Sequence, residues 1–335
     1  MPESKYSPEP HVDKTLTLRM QLNTFFSGPQ AWFFLAVERG YLEQEGLHID
    51  FVEGDTAANT VPKMAAGGFD IGYGDINAQI EHAGRRKPNA PLAVYASYNA
   101  SPYTIAVAAD GPLRAPQDLA GKRLVTHPND AAWLLFPEFC RMTGLREADV
   151  SIDTSPAPHS ALIPRLLAGE FDALFGFVNT LAAAAIDAGV DPQALHNLDY
   201  TRHVPDLYGM ALMVTRELAQ SRPDAVRGLL RGLNRGLVDT IADPHAAIAA
   251  LSRQGLRHSQ EANLQRLTRT LQLEMAHPEG GRLGIGDLDS ARFDRGIALI
   301  ATTKHLPHHP RADELFSGAF LPPLEERVRS LAHPD

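Results

Sequence analysis

The sequence is short of cysteine, of tryptophan, of long apolar runs and of positive charge, and each shortage removes a class of explanation. A single cysteine, Cys140, stands among 335 residues, so no disulfide and no thiolate metal cluster can form within the chain. It lies in the apolar-periodic stretch 131–143, where a buried structural thiol is expected rather than a reactive one. No apolar run approaches the roughly 20 residues that span a bilayer, so a soluble chain without a membrane span is expected. Lys and Arg number 31 against 40 Asp and Glu, a net charge of -9, and the densest basic run, Arg85-Arg86-Lys87, stops at Pro88. A nucleic-acid partner is therefore not expected.

Catalytic and cofactor motifs are equally scarce. There is no serine nucleophile elbow and no phosphate-binding P-loop. Gly281-Arg282-Leu283-Gly284-Ile285-Gly286 lies between helical stretches rather than after a strand, where a dinucleotide loop would have to be. His305, His308 and His309 cluster, but Pro307 and Pro310 interrupt them, and a solvated loop is the expected outcome. Asp287, Asp289 and Asp294 lack the spacing of a calcium loop. No catalytic residue, metal or cofactor is expected. Residues 1–14 read as a disordered segment, and Met1–Pro10 has neither the basic start nor the apolar core of a signal peptide. That leaves a mature exported form or a cytoplasmic protein.

What the sequence does have is an apolar content of 44%, enough for two cores, and a regular alternation of short apolar runs, small polar loops and helical stretches. Strands are expected at 15–23, 48–53, 69–74 and 92–98, with helices at 31–45 (broken at Gly40), 59–66 and 77–85. After an extended segment at 104–109 a second series follows, with strands at 121–126, 150–154 and 171–177 and helices at 131–143, 160–168 and 180–188. A returning strand at 207–215 leads into helices at 223–242, 245–254, 259–275 and 288–304. Val226, Leu229, Leu230, Leu233 and Leu237 mark an apolar stripe at helical spacing on the first of these. The expected fold class is α/β, with mainly parallel sheets in two lobes, a hinge and a helical C-terminal segment. Residues 15–107 and 208–335 would form lobe I and 108–207 lobe II. Crossings near 106–109 and 206–213 would form the hinge.

In open α/β sheets the binding crevice lies beyond the carboxyl ends of the strands, here the loops at 24–30, 54–60, 75–77, 97–102, 127–130 and 178–180. Most end in Asn, Asp, Ser or Thr at a helix start, which helix capping alone explains in any single loop. Convergence of several loops on one cleft is what points to binding. Gln30, Asn77, Asn129 and Asn179 would supply neutral hydrogen bonds, with Thr56 and Asn59 on the 54–60 turn. Asp75 or Asp130 would engage an amino group, and Asp75 serves equally as a helix cap. Phe25, Phe26, Tyr98 and Phe177 would stack on a flat solute, as would Trp133, while Trp32 is divided between cleft and core.

The stretches Leu22-Asn23, Phe33 to Ala36 with Arg39 to Leu47, Lys63 to Gly72, Asp118 to Arg123 and Leu167 to Ala173 resemble the NMT1/THI5-like family over roughly residues 15 to 240. That family includes periplasmic substrate-binding proteins of ABC transporters for thiamine-precursor pyrimidines, alkanesulfonates and taurine. The resemblance implies a type II periplasmic-binding-protein fold. It also implies a non-catalytic, monomeric role outside the cytoplasm, capturing a small-molecule solute for a membrane permease. A thiamine-precursor pyrimidine is slightly favoured; alkanesulfonates, taurine and small aromatic carboxylates are the alternatives. Pyrimidine-binding relatives show an Asn-Trp pair followed by His where this chain has Thr24 and Gln30. The family's enzyme branch carries a cysteine-rich motif and a substrate histidine, whereas this chain has one Cys and Gln30. A pyrimidine-processing enzyme and a cytoplasmic ligand sensor are the readings from other classes.

Overall fold

Among the described residues, short runs of apolar and β-branched residues between polar loops become ten strands, which sort into two sheets of five. The computed structural model describes residues 15–329 and 331; the segment expected to be disordered, 1–14, lies outside them. The chain first lays down β1 (Leu16–Gln21), β2 (Leu47–Val52), β3 (Ile71–Asp75) and β4 (Leu92–Ala96). It then builds β5 (Tyr103–Ala108), β6 (Arg123–Thr126), β7 (Ser151–Thr154), β8 (Ala173–Phe177) and β9 (Leu195–Asp199), and returns as β10 (Met210–Val214). The first sheet has the order β2-β1-β3-β10-β4 and the second β7-β6-β8-β5-β9.

Two expectations change here. The sheets are mixed: β10 runs antiparallel to both β3 and β4, and β5 antiparallel to β8 and β9. Each reversed strand is the one on which the chain enters from the other sheet, so crossing and reversal are the same event. Tyr103–Ala108 hydrogen-bonds wholly within the second sheet, so the first crossing falls at 97–102 and a lobe I segment does not extend to residue 107. The strand β9 had no strong alternation to announce it.

Helices α1 (Ala31–Glu38), α2 (Thr60–Ala65) and α3 (Ile76–Gly84) connect the first sheet, and α4 (Ala131–Leu134), α5 (Phe136–Thr143), α6 (His159–Leu167) and α7 (Val178–Asp187) the second. The expected single helix 131–143 is divided at Leu135 (φ -103, ψ 10). Pro137, the second residue of α5, has no N–H to donate to the Trp133 carbonyl four residues back, and its ring crowds that carbonyl, so the first helix cannot run on through this turn. The C-terminal part is helical as expected: α8 (Arg216–Ser221), α9 (Pro223–Ala242), α10 (Pro244–Ser252), α11 (Gln260–Arg269), α12 (Pro278–Leu283), α13 (Ser290–Thr303) and α14 (Ala312–Leu315). The stretch 270–275 continues α11 as a π-helical turn.

Helix α1 is apolar on every side through Ala36 because that stretch is covered, whereas Val37 and Glu38 at its end are exposed. Ala31 through Ala36 are buried, and α9 and α10 pack over the side away from the sheet. Each fully buried Phe or Leu contributes about 1.5–3 kcal/mol. Gly236 permits the approach of α9: a Cβ there would lie 2.6 Å from the Ala36 Cβ and from the Trp32 carbonyl oxygen. Trp32 is 1% exposed and donates its indole N–H to Pro29 O at 3.2 Å, so it belongs to the core. Helix α11 breaks the simple assignment of the tail to the first lobe, since it packs against both the 28–30 turn and α7.

Candidate functional site

A concavity lies between the two sheets, where loops from both meet α11. It has a volume of about 270 Å³, at the small end for solute pockets. Of the twelve expected contact residues, Phe25, Thr56, Tyr98, Asp130, Phe177 and Asn179 line it.

The other six are placed elsewhere, each for a structural reason. Gln30 turns inward and braces its own loop, accepting the Ser27 N–H at 3.1 Å and donating to Asn23 Oδ1. Phe26 packs edge-on against Phe34, with ring centroids 5.1 Å apart. Asn59 donates to Asp55 at 3.1 Å on the surface. Asp75 and Asn77 are buried at the junction of the sheets. Asp75 Oδ1 accepts the Asn77 N–H at 2.9 Å and the Tyr103 hydroxyl at 2.7 Å, while Asn77 Nδ2 reaches Tyr208 O at 2.8 Å. Burial pushes the Asp75 carboxyl up to about 6 against these donors. Asn129 is exposed and serves the chain turn instead, with φ +59; asparagine tolerates the left-handed region better than most residues. Trp133 packs on the second core.

The residues that dominate the pocket's charge come from the C-terminal helices and were not among the twelve. Arg266 on α11 is 7% exposed, lines the cavity and stands 5.8 Å from the centre of the Phe25 ring. Its Nε is buried without a hydrogen-bond partner, and among the described residues its guanidinium makes no ion pair within 4.0 Å. Burial lowers its pKa, although Tyr98, Asp187 and Glu274 oppose that. Glu274, the buried carboxyl nearby, does not neutralise it: burial pushes its pKa to about 8, so it is largely protonated at neutral pH. It accepts from Asn179 Nδ2 at 3.2 Å, and the same amide donates to Thr270 Oγ1 at 2.5 Å.

Other walls are better satisfied. Arg257 also faces the Phe25 ring, at 5.1 Å, but is paired with Glu53 at 2.5 Å. His258 Nδ1 meets Asp187 Oδ2 at 2.8 Å, and burial holds this imidazole below its usual range. Ser27 Oγ and Thr56 Oγ1 are buried without partners, and both residues line the cavity. His127 and His159 complete the second-lobe wall beside Asp130; burial, then His127, push His159 down to about 3, so its ring is neutral. A sequence signal for α11 exists in hindsight: Asn263, Arg266 and Thr270 share the helix face of Leu267, an apolar stripe interrupted by groups that need partners.

Residues 30–247 match the family described as NMT1/THI5 like. The chain belongs to the NMT1/THI5-like family. A search of curated protein sequences found no match. Among solved structures, this family member is similar to the alkanesulfonate-binding protein SsuA from Xanthomonas axonopodis pv. citri bound to MOPS. The identity is 19% and the TM-score 0.64, over 90% of this chain and 98% of that one. The periplasmic aliphatic sulphonate binding protein SsuA from Escherichia coli aligns at 16% identity and TM-score 0.64, over 93% and 91%. A cysteine-to-serine variant of DSZB, in complex with biphenyl-2-sulfinic acid, aligns at 15% and 0.60, over 90% and 97%; DSZB is described as a desulfurization enzyme. Likeness at these identities establishes a shared periplasmic-binding-protein fold with two lobes, a fold that carries binding proteins and an enzyme alike.

Proposed function

We propose that this NMT1/THI5-like protein is the solute-capturing component of an ABC-type importer, working outside the cytoplasm with a membrane permease, and that its solute is a small organic anion. The observation that carries this reading is Arg266, a buried guanidinium that lines the cavity with an unpartnered Nε. An unpaired buried charge is costly unless a ligand completes it. A planar guanidinium suits sulfonate, sulfinate or carboxylate oxygens in a bidentate pair. Ser27 and Thr56 hydroxyls and the face of Phe25 would receive the remaining oxygens and the organic body. These features favour an anion over a neutral thiamine-precursor pyrimidine.

Capture without chemical change is supported by the position of the one thiol. Cys140 is 4% exposed, burial pushes it up to about 12, and it is not among the residues lining the cavity. A thermal-shift panel of alkanesulfonates, arylsulfinates, aromatic carboxylates and a neutral aminopyrimidine tests the reading, because a ligand selective for the folded state raises the melting temperature. At least one anion class is expected to raise it and to be recovered unaltered by mass spectrometry. A shift from the pyrimidine alone, or turnover of the bound anion, would overturn the proposal.

A further inference from the structure

On the wall made by the second lobe, three side chains converge for which solute capture gives no specific use. His127 follows β6, Asp130 caps α4 and His159 opens α6. One ligating atom from each lies within 4.8 Å of the other two, and the imidazole centroids are 4.1 Å apart. Both rings are oriented by the main chain: His127 Nε2 lies 2.6 Å from Ala157 O, and His159 Nε2 lies 3.2 Å from Phe175 O. A carbonyl oxygen only accepts, so in both rings Nε2 carries the hydrogen and Nδ1 presents a lone pair. Neither Nδ1 has a hydrogen-bond partner among the described residues. Asp130 Oδ1 accepts the Ala132 N–H at 2.8 Å, which leaves Oδ2 to bind elsewhere.

Imidazoles locked by a backbone oxygen on one nitrogen and bare on the other are the form in which histidine binds metals. We infer that His127, Asp130 and His159 form a binding site for a divalent transition-metal ion of the zinc type, with its fourth position open to the cleft. Two imidazoles and one carboxylate match the donor preference of zinc, and three protein ligands leave room for one exogenous ligand. Metal–ligand bonds of about 2.0–2.1 Å in a tetrahedron separate the ligand atoms by about 3.3 Å. Ligating atoms of the three groups already lie within 4.8 Å of one another and have to close to that separation, a movement the part-exposed 127–130 loop can supply. The site departs from the metal-free expectation drawn from sequence. It also differs from the His305, His308 and His309 group, of which His308 is engaged with Glu314 at 3.3 Å. If the anion reading above also holds, metal and Arg266 share one cavity, and the preferred solute is an anion with a second oxygen or nitrogen able to ligate.

The test uses the full chain stripped of metal and titrated with zinc alone by calorimetry, and with cobalt alone by visible absorption. One zinc per chain is expected, with tetrahedral cobalt bands. His127→Ala and His159→Ala should each weaken zinc binding at least ~100-fold and abolish the bands. Asp130→Asn retains a capping side chain and should still weaken binding about tenfold or more, which guards against loss through misfolding. Arg266→Ala should leave zinc binding intact or strengthen it, because it takes one positive charge out of the shared cavity, so that failure of the metal site and failure of the anion site are read separately. Absence of a saturable zinc site, or zinc affinity unchanged in both histidine variants, would overturn the inference.

Discussion

The molecule holds two buried clusters made of a carboxyl group, an asparagine amide and a tyrosine. At the lobe junction Asp75, Asn77 and Tyr103 bond to one another and to Tyr208 O. Beside the cleft Glu274, Asn179 and Tyr98 do similar work with Thr270, but the cluster also contains Arg266 with no anion to meet it. Composition does not separate the two. Residual charge does: the first set spends its donors internally, leaves only the neutral Asn77 Oδ1 without a partner and ties strands together, whereas the second keeps one full charge in reserve. A buried polar group that is already paired reads as structure, and one left unpaired at a cavity reads as recognition.

The contrast breaks most visibly if its unpaired member is removed. Arg266→Ala should cost at least ~100-fold in anion affinity, about 3 kcal/mol, while stability in urea holds or rises because an uncompensated buried charge is gone. Calorimetry on the best-binding anion decides it, and an unchanged affinity would take Arg266 out of the site. Asp75→Ala should do the reverse, lowering urea stability by about 2 kcal/mol by stranding the Tyr103 hydroxyl and the Asn77 amide, with affinity preserved in the folded protein. A loss of affinity at full stability would merge the two clusters into one site.

A third prediction concerns pH. Burial raises Glu274 to about 8, Glu138 to about 7 and Asp75 to about 6, all above the values these groups take in the unfolded chain. The folded state then holds protons that the unfolded state has released, so the contribution of these three groups is fully present below about pH 4 and is lost as pH rises from there through 6, 7 and 8; His159, held down to about 3, works in the opposite sense up to its unfolded value of 6.5, so the net fall is clearest above that pH. The slope is at most about 1.4 kcal/mol per pH unit for each group in its window. Urea midpoints at pH 5.5 and pH 8 measure this, and Glu274→Gln should flatten the upper part; a midpoint that rises with pH would contradict the burial of these carboxyls. The smallest effect is expected at Asn179→Ala, about 1 kcal/mol or fivefold in affinity, because its amide supports Glu274 and Thr270 before any solute. Unchanged affinity there would confine the amide to a structural role.

Much of the fold was legible because burial imposes periods. The α9 stripe of Val226, Leu229, Leu230, Leu233 and Leu237 is buried throughout, and the helix runs over the residues its periodicity indicates, Pro223–Ala242. Strand β9 was not legible: Leu195-His196-Asn197-Leu198-Asp199 is a half-polar edge strand with little apolar alternation. For the site, half of the twelve residues expected from strand-end loops line the cavity, since topology brings those loops together whatever their exact side chains. Asp75 and Asp130 both cap helices, and loop position alone could not tell that Asp130 also lines the cavity while Asp75 is buried at the junction of the sheets. Arg266 was hidden for a different reason. On α11 it sits among Arg269, Glu261 and Gln265, and only the packing of that helix against the 28–30 turn and α7 decides which arginine turns inward. Gly28 makes the packing possible: its N–H donates to Asn263 Oδ1 at 2.8 Å, and a Cβ at this position would collide with the Asn263 carbonyl.

Helix α7 is joined to the residues flanking α11 by the Asp187–His258 contact before it and by the bonds from Asn179 to Thr270 and Glu274 in the π-helical turn after it. Any motion that separates these helices to release a solute must first break those bonds. On the solute-capture function proposed above, they would act as a brake on departure, setting how long a captured molecule stays rather than how quickly it arrives.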